Sequence, residues 1–132
     1  MTLEAIRYTI EQRIAAEMRQ APPYPVHYSN APFNPPNNAP WVEVSLRFGD
    51  DAYATVAGFN RQNGVLAVNV YAPIGDGTAV ALTIAERIKA LFDRVTVDGI
   101  IFQAANGPSQ VLPSSPEAYY QAQIVIPFEA YQ

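Results

Sequence analysis

The chain is 132 residues long, 49% apolar and 15% charged, which is enough for one buried core and too little for two. It has no cysteine, so a disulfide scaffold, a thiolate zinc site and a cysteine nucleophile are excluded. Eight basic against twelve acidic residues leave a formal net charge of −4, the wrong sign for gripping DNA or an anionic membrane surface. Met1 to Arg7 lack a basic start followed by a long apolar run, the pattern of a signal peptide, and no apolar run approaches a membrane span of roughly 18 residues. The expectation is one soluble domain over residues 1–132.

Residues 2–20 predict an amphipathic helix. Leu3, Ile6, Ile10, Ile14 and Met18 recur at spacings of three and four, Thr2 is placed to cap the first turn, and Pro22-Pro23 ends it. From 21 to 40 the chain is dense in proline and asparagine and almost uncharged, which reads as a stiff, extended loop wrapping over a surface. Tyr24, Tyr28 and Phe33 would anchor it, either on a partner or on its own domain.

Trp41 to Phe48 alternates: Val42, Val44, Leu46 and Phe48 face one way, Trp41, Glu43, Ser45 and Arg47 the other. Gly49-Asp50-Asp51 supplies turn residues, 52–59 reads as a returning strand, Asn60 to Gly64 as a second turn and 64–72 as a third strand, closing a three-strand meander. A second helix is expected at about 78–92, capped by Asp76 or Thr78, with Val80, Ala81, Ile84, Ile88, Leu91 and Phe92 as its apolar stripe. Short strand segments at 95–97 and 100–102 flank an Asp98-Gly99 turn. A Gly, Pro and Ser loop follows over 105–118, then a last strand from Tyr119 to Phe128 with Tyr120, Ala122, Ile124 and Ile126 on one face. The fold class is α+β: a mainly antiparallel sheet with two helices on one face.

Catalytic chemistry finds little support. His27 is the single histidine, with no serine or carboxylate at a motif spacing, and a histidine metal site needs a second imidazole. Asp50-Asp51 suits a turn better than a cation, which needs more oxygen ligands than the segment offers. Gly75-Asp76-Gly77-Thr78 lacks the Gly-Lys-Ser/Thr ending of a phosphate loop and puts an acid where the phosphate would sit. Phe48, Tyr53, Phe59 and Tyr71 do not fall into a base-stacking motif, and the net charge opposes one. No catalytic, cofactor or metal residue is expected.

The order of signals carries more information than any single residue. Asn30-Ala31-Pro32-Phe33 precedes Pro40-Trp41-Val42-Glu43-Val44. Gly64 to Pro73 then runs into Gly75-Asp76-Gly77, Ala85-Glu86-Arg87-Ile88 and Leu91-Phe92. Over residues 3–128 this pattern resembles the tail terminator-like family of long-tailed bacteriophages, although the 105–118 loop has no evident counterpart. The resemblance implies a small α+β virion protein, assembled in the host cytoplasm into a ring, expected to be a hexamer, at the head-proximal end of the tail tube. There it would halt tube growth and present a surface to the head-tail connector protein, with no cofactor. Tail tube protein, connector protein and further copies of itself are the implied partners. Phage DNA would pass through the ring without specific binding.

A ring needs two different patches of one subunit to meet. Tyr24, Tyr28, Phe33 and Trp41 are the candidates for the subunit interface. The hairpin tips bearing Asp50, Asp51 and Arg61 are candidates for tube, neck or lumen contact, where the acids would repel passing DNA. A stopper or tube-like subunit, and a small ligand-binding domain, are the competing readings.

Overall fold

The computed structural model describes residues 2–28, 31–34, 39–53, 60–73, 79–111 and 119–131. Helix α1 spans Leu3–Met18 and starts where expected: the Thr2 side chain accepts a hydrogen bond from Ala5 N at 3.1 Å, and Glu4 occupies the positive end of the helix. Ile6, Ile10, Ile14 and Met18 form its buried stripe, whereas Leu3, one turn too early to reach the sheet, is 45% exposed.

The stretch after α1 is not wholly a loop. Strand β1, Val26–Tyr28, runs parallel to β2, Trp41–Tyr53, with Val26 opposite Val42 and Tyr28 opposite Val44. Parallel neighbours cannot be joined by a tight turn and need a crossover of a dozen or so residues, and the proline- and asparagine-rich chain between them serves as one.

The expected meander is corrected to a single long hairpin. β2 pairs antiparallel with β3, Asn60–Pro73, from Trp41 opposite Tyr71 to Tyr53 opposite Asn60. The turn expected at Gly49 to Asp51 is instead an irregularity inside β2, between Phe48 and Asp51. A bulge leaves ladder groups unpaired, and the buried side chain of Gln62 satisfies them, donating to Gly49 O at 2.8 Å and Asn63 O at 2.9 Å. The turn expected at Asn60 to Gly64 is likewise strand. The rest of the expected 52–59 strand, residues 54–59, lies outside the described residues.

Helix α2 spans Ala79–Phe92 and buries Ala81, Ile84, Ala85, Ile88 and Phe92. Its expected caps, Asp76 and Thr78, and the Gly75-Asp76-Gly77 motif lie outside the described residues. β4 (Thr96–Val97) and β5 (Ile100–Phe102) form the expected two-residue hairpin, with Asp98 at φ 48° and Gly99 at φ 86°. Positive φ at both central residues is the turn that Asp-Gly favours. The 105–118 loop is corrected in its first half: β6, Asn106–Val111, pairs with β7, Tyr119–Tyr131. Residues 112–118 lie outside the described ones.

The sheet order is β1-β2-β3-β7-β5-β4, with β6 also on β7, and every pairing is antiparallel except β1 with β2. Alternate residues of β2, β3 and β7, among them Val42, Val44, Leu66, Val68, Val70, Ile124 and Ile126, share one core with the stripes of both helices. The fold class expected from the sequence is the one observed.

Two arginines join the helices, which run antiparallel. Arg13 of α1 donates from Nε to Leu91 O at the end of α2 (3.0 Å). Arg87 of α2 donates to Glu17 O and Pro22 O (both 2.8 Å) at the end of α1, pairs with the Glu17 carboxylate at 3.2 Å, and lies over the Tyr24 ring. Each helix thus supplies a cation and donors to carbonyls at or just beyond the other's C-terminal end.

Candidate interaction face

The face of the sheet turned away from the helices carries the other half of the alternation. Cross-strand register sets its rows: Trp41 beside Tyr71 and Gln121, Glu43 beside Asn69 and Gln123, Ser45 beside Ala67 and Val125, Arg47 beside Val65 and Pro127. The two rows nearest Trp41 are polar or aromatic, and the two beyond them are mostly small or apolar apart from Arg47.

At the β1 end the side chains form a connected cluster. Trp41 stacks on Tyr71, with ring centroids 4.3 Å apart and planes 15° from parallel. Phe33, from the crossover, packs on Trp41 at 5.1 Å and lies flat on His27 at 5.1 Å and 13°. Beneath the rings, Glu43 Oε1 accepts from Tyr71 Oη and Asn69 Nδ2, both at 3.3 Å, and Glu43 Oε2 lies 3.4 Å from His27 Nδ1. Asn69 Oδ1 in turn accepts from Gln121 at 3.0 Å. A carboxylate on an otherwise half-covered surface is thereby held by groups from the two strands that flank its own, β1 and β3. Among the described residues, Trp41 Nε1 is buried without a hydrogen-bond partner.

The residues singled out from the sequence separate into groups. Phe33 and Trp41 belong to this outer cluster. Tyr24 and Tyr28 turn the other way, against the core, where burial holds the Tyr28 hydroxyl above the usual tyrosine range. Arg61 sits at the far end of β3 with Nε 3.8 Å from Glu129. Asp50 and Asp51 are placed by their backbone in β2, within the hairpin arm that Arg61 shares. Tyr71, Glu43 and Asn69 carry no interaction role in the sequence reading. Their alternation put them on one face, but only the β2–β3 register brings them to Trp41 and His27.

Two shallow grooves are lined by described residues. One, of about 380 Å³, crosses the sheet by Arg47, Val65, Gln103 and Pro127. The other, of about 460 Å³, lies along α1 by Tyr8, Gln12, Arg13 and Leu91. Both are open to solvent, unlike the enclosing cleft of a small-molecule site. Among the described residues no cluster of three or more histidine or acidic side chains is placed to hold a metal, and no helix is long and apolar enough to cross a membrane.

Comparison with known proteins adds identity to this geometry. Residues 5–128 match the family described as phage tail terminator protein. A solved structure whose own name carries no function superposes with a TM-score of 0.72 at 26% identity, over 98% of this chain and 96% of that one. Comparison with curated proteins gives no match.

Proposed function

The chain belongs to the phage tail terminator family, and from that premise we propose that it forms a ring on the head-proximal end of the tail tube, stops tube growth there and provides the surface on which the head-side connector docks. A member of this family is a structural component of the virion that meets other tail and head proteins. The match over residues 5–128, nearly the whole chain, is the observation that carries the reading.

The finer assignments draw only partly on the face just described: Phe33 and Trp41 lie on it, whereas Tyr24 and Tyr28 pack toward the core. A ring joins two different patches of each subunit, and in this reading the subunit interface involves the strap of Tyr24, Tyr28 and Phe33 together with Trp41 of β2. Rigid rings stacked on one another offer area with little side-chain freedom left to lose on binding. The β2–β3 hairpin, with Asp50, Asp51 and Arg61, reaches toward tube, neck or lumen. Acids lining a lumen repel DNA and let it slide.

The deciding experiment adds the purified protein to tails that lack their terminator and images them by electron microscopy. Tails of uniform length that join heads support the proposal. Tails that keep growing while the protein decorates another part of the particle overturn it in favour of a different neck or tail role. Charge reversal at Asp50 and Asp51 that leaves genome ejection and head joining intact removes the lumen assignment alone.

A further inference from the structure

His27 is the chain's one histidine, and both its ring nitrogens face oxygens that only accept. Nε2 lies 3.2 Å from Ala31 O and Nδ1 lies 3.4 Å from Glu43 Oε2. A neutral imidazole has one N–H and serves one of these oxygens, while the imidazolium has two and serves both. The Phe33 ring lies flat against the imidazole, and an aromatic face attracts a cation.

The groups around it point the same way. From β2 the facing titratable group is Glu43, and from β3 it is Tyr71, whose hydroxyl donates to the same carboxylate. Among the described residues the crossover contributes Ala31 and Phe33, and β7 contributes the neutral Gln121 through Asn69. Glu11 and Arg19 of the α1 region act on Tyr28, whose side chain points to the opposite face of β1.

We infer that His27 is a pH-operated latch. Protonated, it pins the 31–34 segment to Glu43 and seats Phe33 on Trp41. Deprotonated, it turns a lone pair toward either the Glu43 carboxylate or the Ala31 carbonyl, and Phe33 leaves Trp41. The aromatic composition of this face then depends on pH.

Trp41 is the only tryptophan, so intrinsic emission of the full chain reads the latch directly. Emission is followed between about pH 5 and pH 8, the interval in which histidine ordinarily changes charge, with the His27 ring-proton resonances recorded on the same samples. The expected result is one sigmoidal change in emission, coincident with the histidine titration. Glu43→Gln is expected to shrink the emission change, because Nδ1 then no longer faces a carboxylate, and His27→Ala to make emission independent of pH. Flat wild-type emission while His27 titrates overturns the latch, and so does an undiminished change in Glu43→Gln or a persisting change in folded His27→Ala. If far-UV circular dichroism shows His27→Ala unfolded, the wild-type and Glu43→Gln titrations decide alone.

Discussion

Phe48 and Phe128 meet edge to face over Gly64, their ring centroids 6.1 Å apart and their planes at 88°. The three residues lie in one row across β2, β3 and β7, and the missing side chain on the middle strand makes the space the two rings share. A Cβ on Gly64 would fall on the tip of the Phe128 ring and 2.9 Å from Arg47 O, a backbone atom that has little room to yield. Glycine is here for close approach. Gly64→Ala gains about 0.4–1 kcal/mol from a less flexible unfolded chain and loses about 1–3 kcal/mol to overpacking. The net expectation is a lower urea midpoint with an unchanged slope, and an equal or higher midpoint would refute the steric account.

Arg87 supports a second prediction, about the joint between the helices. Its fork reaches Glu17 O, Pro22 O and the Glu17 carboxylate at once, while the chain's only lysine, Lys89, bonds Gly107 O instead. Hydrogen bonds to charged groups contribute about 1.5–3 kcal/mol, and the side chain is 18% exposed, so solvent takes little of this away. Arg87→Ala is expected to cost about 2 kcal/mol in urea unfolding. Arg87→Lys keeps the charge at the end of α1 but not the planar fork, and should fall between. A lysine variant as stable as wild type would mean that charge alone caps the helix.

The pattern of these contacts explains what could be read in advance. Both helices and the inward faces of β2, β3 and β7 were legible because period 3.6 and period 2 are local properties. The β4–β5 turn was legible for the same reason, since Asp98-Gly99 needs nothing beyond its own φ angles. Gly49 and Gly64 carry the same turn signal, yet one sits at a bulge closed by Gln62 and the other beneath a phenylalanine from a strand 64 residues further on. Such uses depend on a distant neighbour. β1 and β6 were missed because they pair through single partners and contain or adjoin prolines. The outer cluster joins β1, β2, β3 and the crossover, so its members become visible only once register is known.

Tyr28 gives the fold a pH dependence on the alkaline side. An unfolded tyrosine ionises at about pH 10, and burial against the core holds the folded Tyr28 neutral to higher pH. The unfolded chain therefore loses this proton first. Stability is intact below the unfolded value and declines as pH rises through the folded one. Urea midpoints taken at about pH 8 and about pH 11 should fall less in Tyr28→Phe than in wild type. Equal losses would place the alkaline sensitivity elsewhere.

Gly107 tests whether β6 is held as firmly as the ladder implies. Its φ is +107°, a region that side chains strain to adopt, and a Cβ there would lie 2.5 Å from Gln123 O and 3.0 Å from Ser109 N. Both obstacles are backbone, so neither can swing aside. Strained φ alone costs about 1–3 kcal/mol, and relieving it by moving the chain gives up the Lys89 bond to Gly107 O and the pairing of Ser109 to Val111 with β7. Gly107→Ala is expected to release β6 while leaving the β2–β3–β7 core folded. Hydrogen exchange should quicken at the β7 amides between Gln121 and Val125 that bond toward β6, with those of β3 unchanged. Uniform quickening across the sheet would instead make β6 part of the same cooperative unit as the core.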